Sequence, residues 1–354
     1  MTFPFPKSID EISAGWFGQC LAEKFPGTEV INLERGTAIH GTATKIEFHL
    51  RYNDDGDRHS LPTTLWLKCG LETQIPEQAV HSAIEAAFFR DLVPNLEINV
   101  PRPYATAFAP DWSSGVVIYE DLNQRPVEFR KQTGSLSPTE MLDQLDMLAV
   151  LHATYWREPA LRDIDWLTPG GVIHSNGVLK RFSDFWDYVS PMPRFRQVPN
   201  SLMDQERLLK ANLALMAADM ADPICVVHGD PHIGNMFFDP DGKPGLLDWA
   251  TVMHGHWAWD VSYAMIINQS VEQRRLLEVQ QLQHYLGRLS ALGVDAPAMD
   301  RAWHDYARHS VYQFNFVLCP PELQPEELCT QSAERACAAI GDLDGLRRVE
   351  LPTA

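Results

Sequence analysis

The stretch Val226-Val-His-Gly-Asp-Pro-His-Ile-Gly-Asn-Met-Phe-Phe238, followed after a short turn by Leu246-Leu-Asp-Trp249, decides the fold and predicts the chemistry. Asp230 and Asn235 stand five positions apart in a loop, and Asp248 ends an apolar strand. In phosphoryl transfer one Asp accepts the proton of the attacking hydroxyl, while an Asn and a second Asp hold the magnesium ions that screen the nucleotide phosphates. The pattern therefore favours a phosphoryl-transfer site with Asp230 as base and Asn235 and Asp248 as metal ligands.

A predicted β-hairpin explains how these side chains could converge. The apolar runs 236–238 and 245–247 flank Asp239-Pro-Asp-Gly-Lys243, whose Pro and Gly are typical of a turn. The open ends of a hairpin lie together, so Asn235 and Asp248 are predicted side by side. Magnesium prefers oxygen ligands and keeps much of its water shell, which suits two protein ligands plus phosphates. The alternative is a set of ordinary loop residues that cap turns, and the combination of loop, hairpin and second Asp argues against it.

These segments resemble a known family. His228-Gly-Asp-Pro-His-Ile-Gly-Asn235 and Leu247-Asp-Trp249 are similar to the signature of the aminoglycoside phosphotransferase and choline kinase-like small-molecule kinases, which are relatives of protein kinases. The resemblance extends from about Glu29 to about Val294 and is strongest in the catalytic segment.

The resemblance implies an α+β, protein kinase-like bilobal fold. A small lobe with an antiparallel sheet and a helix would occupy residues 1–122 and end in a hinge. A larger, mainly helical lobe over 123–354 would carry the catalytic and acceptor-binding groups. The length agrees, because 354 residues exceed what one hydrophobic core usually serves.

Further nucleotide-binding residues follow from the same resemblance. Lys68 ends an apolar strand, and Glu85 lies in a predicted helix over 77–92; in kinase folds such a pair holds the nucleotide phosphates. A surface lysine and a surface glutamate are the alternative. The turn that contains Gly36 and Gly41 stands where kinases place a loop over the phosphates, although two glycines also suit a plain hairpin.

The hinge is predicted where the strand over 115–122 ends at two acids. Backbone groups of Glu120, Asp121 and Leu122 would contact the adenine edge. Asp260 is similar to the family's buried aspartate that supports the catalytic loop through backbone amides, with a helix-start Asp as the alternative. His152, on an apolar helix face, is predicted to be a hydrogen-bonded core residue.

Composition narrows the functional class. A formal net charge of −18 argues against a nucleic-acid partner, which would need a basic face. The six cysteines lack C-x-x-C spacing, which favours free thiols in a reducing compartment. No run has the length of a signal peptide core or a membrane span, so we expect a cytoplasmic protein. Neither charge nor pattern predicts an oligomeric state.

Two features favour a small acceptor. Gly229 stands where regulated protein kinases carry an Arg that pairs with a phosphorylated loop. The segment from Asp248 to Asp260 is too short for an activation segment that docks peptides. We therefore expect an ATP- and Mg²⁺-dependent kinase of a small-molecule hydroxyl. The alternatives are a catalytically idle nucleotide-binding or scaffolding protein on the same fold, slow ATP hydrolysis, or a protein kinase.

The acceptor is open at this stage. Choline-like, sterol-like and aminoglycoside-like alcohols all agree with the family resemblance. Aromatic residues in the large lobe could line an apolar pocket or a quaternary-ammonium box, although burial in the core is the more common fate of such residues. They are Trp186, Tyr188, Trp257, Trp259, Tyr312 and Phe316.

Overall fold

The computed structural model describes residues 4–73, 79–172 and 180–350. The chain forms two compact units, one of Met1–Val127 with Leu247–Thr251 and the other of Glu128–Leu246 with Val252–Ala354. The predicted α+β fold is confirmed, because a five-stranded antiparallel sheet lies in the first unit and long helices dominate the second.

The first unit is built on an antiparallel sheet with strand order β1-β2-β3-β5-β4. The strands are β1 Val30–His40, β2 Thr44–Tyr52, β3 Thr64–Cys69, β4 Pro103–Phe108 and β5 Gly115–Glu120. Buried and more exposed residues alternate along β2, as expected of a strand with one face on the core. That core contains Phe17, Phe48 and Leu67.

The helices of the first unit are α1 Ala14–Ala22, α2 Asp54–Arg58 and α3 Val80–Ala87, and a π-helical turn over Phe88–Leu92 extends α3. Ser13 caps α1 by accepting a hydrogen bond from Trp16 N. A separate 3-10 turn, Ile9–Glu11, precedes this cap. The predicted start of α3 at Glu77 lies outside the described residues.

The second unit consists mainly of helices. They are α4 Pro138–Thr154, α5 Trp186–Val189, α6 Gln205–Ala221, α7 Ala258–Ile267, α8 Val271–Ala291, α9 Met299–His309, α10 Glu326–Asp342 and α11 Gly345–Glu350. The strands are β6 Glu128–Phe129, β7 Cys225–Val227, β8 Met236–Phe238, β9 Pro244–Leu246 and β10 Met253–Gly255. Every residue of α7 is buried, so this helix forms the centre of the unit. None of the described helices is both long and apolar enough to cross a bilayer.

A buried ionic cluster joins three parts of the second unit. Asp219 on α6 pairs with His309 at the end of α9 (Oδ2 to Nε2, 2.9 Å), and His256 precedes α7 beside them. Ala258 N donates to His256 Nδ1, so the neutral ring carries its proton on Nε2. Burial lowers the pKa of His256 from 6.5 to about 3. Although burial opposes it, the charge of His309 helps to lower the pKa of Asp219 to about 2.

These pKa shifts predict that the folded protein loses stability in acid. The unfolded chain protonates His256 below pH 6.5 and the folded chain does not until about pH 3, so the unfolded state binds more protons in this window. The free energy of unfolding should fall as the pH is lowered through it, by at most roughly 5 kcal/mol from this group. Urea unfolding at several pH values between 7 and 4 measures the slope of the free energy of unfolding against pH. His256→Asn, which keeps the acceptor for Ala258 N, should flatten it.

The exposed His59 provides the matched control. His59→Asn should keep the wild-type slope, and equal slopes for wild type and His256→Asn would contradict the prediction.

Candidate active site

The catalytic segment forms a loop between β7 and the β8–β9 hairpin. Met236 pairs with Leu246 in the hairpin, as the sequence predicts. The turn is closed by Asp239, whose Oδ1 accepts hydrogen bonds from Asp241 N (3.0 Å) and Lys243 N (2.8 Å). Ile233–Asn235 forms a 3-10 turn immediately before β8.

The Asp260 side chain supports this loop by binding its backbone amides, as the family resemblance implies. Its Oδ2 accepts a hydrogen bond from His228 N (2.6 Å), and its Oδ1 accepts one from Gly229 N (2.9 Å). The carboxylate is fully buried, where such hydrogen bonds are strong because water does not compete. His152 Nε2 lies 3.3 Å from the same carboxylate and its Nδ1 lies 2.7 Å from Tyr285 Oη, so the prediction of a core histidine is confirmed.

Gly229 has a backbone conformation that few other residues tolerate. Its φ of +87° lies in the left-handed region, where a Cβ is strained. Its carbonyl accepts a hydrogen bond from Trp259 Nε1 (3.1 Å). Glycine is therefore needed here for the turn that presents Asp230.

The Asp230 carboxylate is held in one orientation and remains about one-third exposed (35%). Tyr263 Oη donates to its Oδ1 (2.5 Å), and Asn235 Nδ2 donates to its Oδ2 (3.3 Å). His232 Nε2 lies 3.6 Å from Oδ2. A carboxylate that is oriented yet reachable from solvent can accept the proton of an incoming hydroxyl.

Sequence reasoning missed Tyr263. Its side chain is buried, and its pKa lies well above the ordinary value because of burial and the negative charge of Asp230. The sequence did indicate this role, because Tyr263 follows Asp260 by three positions and residues three apart share one helix face. A helix that supports the loop through Asp260 therefore also presents Tyr263 to it.

Asn235 has the orientation expected of an oxygen donor. Its Nδ2 donates to the backbone carbonyl of Asp230 (3.0 Å) as well as to the carboxylate. With the amide nitrogen engaged, Oδ1 is the atom left to bind a cation. The side chain is largely buried, so its orientation is fixed.

The first unit contains the expected lysine pair. Lys68 Nζ lies 2.7 Å from Glu85 Oε2 and 2.7 Å from Asp248 Oδ1. Lys68 and Glu85 are almost fully buried, whereas Asp248 is about one-third exposed. Burial alone would lower the pKa of Lys68, but the charges of Asp248 and Glu85 outweigh it and raise the pKa above its ordinary value. Lys68 is therefore a permanent cation.

Asp248 is fixed by its neighbours along the chain. It has a φ of +61°, a conformation that Asp tolerates better than most residues. Trp249 N donates to Glu85 Oε1 (3.2 Å), and the Trp249 ring stacks on Phe88 at 3.9 Å. The segment after β9 is thus attached to α3, which also carries the partner of Lys68.

Lys45 is a further cation that sequence reasoning missed. It lies opposite Lys68 in the β2–β3 register. The positive charge of Lys68 and then burial lower its pKa. Alternation along β2 could have indicated that Lys45 shares a sheet face with Glu47 and not with the core residues.

The turn that was predicted to contain Gly36 and Gly41 is shorter in the structure. β1 continues to His40, so Gly36 lies inside the strand beside a register shift, and residues 41–43 alone form the turn. The amide of Thr37 donates to Glu47 Oε2 (3.2 Å). The prediction of one turn containing both Gly36 and Gly41 was therefore wrong, because the strand pairing continues to His40. Gly41 lies in the turn itself.

The predicted hinge follows β5. Glu120 Oε1 accepts from Arg102 N (2.9 Å) and pairs with Arg125 (2.7 Å). Asp121 Oδ1 accepts from Trp66 Nε1 (3.0 Å). Leu122 then begins a 3-10 turn. These side chains fix the backbone at the end of the strand.

Most of the aromatic candidates for an acceptor pocket are core residues. Trp186, Trp257, Trp259 and Tyr312 are buried, Tyr188 is exposed, and Phe316 is half-buried. Phe316 packs edge-on against Tyr263 at 4.7 Å. Of the six, Phe316 alone lines the small cleft beside Tyr263.

The five-stranded sheet with its helix, the helical second unit and the supported His228–Asn235 loop define a phosphotransferase of the kinase-like fold. The chain belongs to the phosphotransferase enzyme family (APH), whose model matches residues 73–303. No curated protein matches the sequence.

Solved structures with this fold cover nearly the whole chain. The GDP and kanamycin complex of APH(2")-IIia has a TM-score of 0.50 and 12% identity, over 94% of this chain and 98% of that chain. A microcompartment-associated aminopropanol kinase has a TM-score of 0.50 and 15% identity, over 93% and 98%. A Plasmodium vivax ethanolamine kinase has a TM-score of 0.51 and 13% identity, over 87% and 81%. At these identities the likeness shows the fold.

Proposed function

We propose that this protein transfers the γ-phosphoryl group of ATP to a hydroxyl group of a small molecule. The observation that carries the proposal is the Asp230 carboxylate, which Tyr263 and Asn235 orient in a loop that Asp260 supports. Membership of the phosphotransferase family gives the reaction type. Phosphoryl transfer needs positioning and charge neutralisation more than covalent chemistry, and the site consists of groups that do both.

Each residue has one role in this proposal. Asp230 orients the acceptor hydroxyl and takes its proton as the oxygen attacks phosphorus. Lys68, held by Glu85, neutralises the nucleotide phosphates. In this proposal backbone groups of Glu120–Leu122 would contact the base, and the turn at Gly41 would lie over the phosphates.

The residues assigned to magnesium suit that ion. Asn235 Oδ1 and the Asp248 carboxylate are hard oxygen donors, and Asn235 has its nitrogen engaged elsewhere. Bound magnesium would screen the negative charge of the phosphates. The Asp248 carboxylate lies 2.7 Å from Lys68 Nζ and remains about one-third exposed.

A small acceptor agrees with the chain and its relatives. Gly229 offers no side chain to a phosphorylated loop, and eleven residues separate Asp248 from Asp260. The solved relatives are named for kanamycin, aminopropanol and ethanolamine, all of which carry hydroxyl groups.

Mass spectrometry can test the proposal with ATP, Mg²⁺ and a library of alcohols. A product heavier by one phosphoryl group, formed only with both ATP and Mg²⁺, is the expected result. Asp248→Ala should form none, because it removes a metal ligand. Magnesium-dependent binding of ATP without any phosphorylated product across the library would favour an idle nucleotide-binding protein instead.

A further inference from the structure

Lys45 lies in a row of side chains that crosses the sheet of the first unit. It is paired with Ile39 on β1 and with Lys68 on β3. Residues directly opposite one another on antiparallel strands project from the same face of the sheet, with Cβ atoms about 4.5–5.5 Å apart. The strand neighbours Ile46 and Leu67 point the other way, into the core. Lys45 therefore projects beside Lys68, from the face of the sheet that lies away from this core.

Two carboxylates share the charge of Lys68. Its Nζ lies 2.7 Å from Glu85 Oε2 and 2.7 Å from Asp248 Oδ1. One cation and two anions leave this trio with a formal excess of negative charge. Since like charges repel, the trio by itself offers little attraction to the phosphates of a nucleotide. A further cation beside it would bring the formal charge to zero.

Lys45 is such a cation, and no protein group neutralises it. Among the described residues, no carboxylate lies within ion-pair distance of its ammonium group and no atom accepts a hydrogen bond from it. Glu47 lies two positions along the same face of β2, but its Oε2 accepts from Thr37 N (3.2 Å) and lies 4.0 Å from His49 Nε2. The Lys45 side chain is half-buried. A half-buried ammonium group without a counter-charge is unfavourable, and an arriving anion would relieve this cost.

Electrostatics agree that Lys45 lies close to the trio. The charge of Lys68, followed by burial, lowers the pKa of Lys45, and the charges of Asp248 and Glu85 act in the opposite direction. Burial raises the pKa of Glu85, and the charge of Lys45 is among those that oppose this rise. Because interactions between charges weaken with distance, these mutual effects place Lys45 within range of all three groups, as the strand register does.

The face around Lys45 is open to a ligand. Ile39, directly opposite on β1, is about half exposed (52%) although it is apolar. Residues 41–43 form the turn between the two strands, and Lys45 follows this turn by two positions. In the proposed function the turn at Gly41 would lie over the phosphates. Lys45, at the base of the same hairpin, would then reach the same phosphate chain.

We propose that Lys45 is a second phosphate-binding cation, which acts together with Lys68 on the polyphosphate chain of the nucleotide. The inference rests on the proposed function for the identity of this ligand. Lys68 is held in place by two carboxylates, whereas Lys45 supplies a charge that no described carboxylate offsets. The contribution of Lys45 to binding should therefore depend on the phosphates and not on the nucleoside.

Two ligands test the inference by direct binding to the full chain. They are adenosine and the non-hydrolysable ATP analogue AMP-PNP, each titrated with Mg²⁺ by calorimetry. Lys45→Met keeps most of the side-chain length and removes the charge. It should weaken AMP-PNP binding about 10- to 100-fold, the effect expected when a hydrogen bond to a charged group is lost. Adenosine binding should stay within about twofold of wild type, because adenosine has no phosphate.

Two further variants serve as controls. Lys45→Arg keeps the positive charge and should bind AMP-PNP within about threefold of wild type. Lys24→Met removes an exposed cation from the same unit, whose Nζ donates to the carbonyl of Pro103, and should bind AMP-PNP as wild type does.

Urea unfolding distinguishes binding from a structural role. Since Lys45 has no carboxylate partner among the described residues, Lys45→Met should unfold at a urea concentration equal to or higher than that of wild type. A lower unfolding midpoint would assign Lys45 to the stability of the sheet and overturn the inference.

Wild-type affinity of Lys45→Met for AMP-PNP, or equal losses for AMP-PNP and adenosine, would also overturn the inference. Phosphorylation of an alcohol by the wild-type protein would then leave the proposed function intact. Conversely, AMP-PNP binding that needs Lys45, without a phosphorylated product from any alcohol in the presence of ATP and Mg²⁺, would support the phosphate site and count against the proposed function.

Discussion

Replacement of Asp230 by asparagine should lower the rate of phosphoryl transfer about 10³-fold, the size of effect expected when a general base is removed. Asparagine has nearly the same shape and can still accept the hydrogen bond of Tyr263, but it cannot take a proton from the acceptor. Nucleotide affinity should change by less than about threefold, because the phosphates are bound by other groups. Single-turnover kinetics and nucleotide titration measure the two quantities separately.

Tyr263→Phe is the control for orientation. It leaves the Asp230 carboxylate and removes one donor, so we expect a loss of about tenfold, the value of one hydrogen bond to a charged group. An Asp230→Asn protein that transfers phosphate at the wild-type rate would show that Asp230 is not the base. A loss of nucleotide binding equal to the loss of rate would show that Asp230 acts on the nucleotide instead.

The parts of the site that sequence reasoning predicted are those encoded locally. The turn over 239–243 and the apolar runs on both sides define the hairpin within fifteen positions. Lys68 and Glu85 were predicted from the order of a strand and a helix, and their pairing at 2.7 Å is confirmed. Asp260 was predicted from its resemblance to the family's buried aspartate, and it supports the loop as expected.

The parts that were missed depend on contacts between distant positions. Tyr263 lies more than thirty positions from Asp230, and its contact with the carboxylate depends on how α7 packs against the loop. The turn containing Gly36 and Gly41 was predicted too long because Gly36 and Ala38 have weak strand preference, which the pairing of β1 with β2 outweighs. Trp259 is a core residue because α7 is buried on every side.

Replacement of Asp260 by asparagine should affect both stability and rate. The carboxylate accepts hydrogen bonds from His228 N and Gly229 N with separate oxygens, whereas asparagine offers one oxygen and turns an NH₂ group toward the other donor. We expect the free energy of unfolding to fall by about 3 kcal/mol, as for other buried charges that lose a partner. We also expect the rate of transfer in the folded fraction to fall about 10²-fold, because a shift of about 1 Å in the loop misplaces Asp230.

Asp219→Asn separates these two effects. Asp219 is equally buried and also pairs with a histidine, but its partners His309 and Arg308 lie on α9 and not in the catalytic loop. This variant should lose a similar amount of stability and keep its rate within about threefold, since a uniform loss of stability changes the amount of folded protein and not its site. Urea unfolding and kinetics on the folded fraction measure both. If the two variants lose rate to the same extent, Asp260 contributes only stability, and the proposal that it positions Asp230 is wrong.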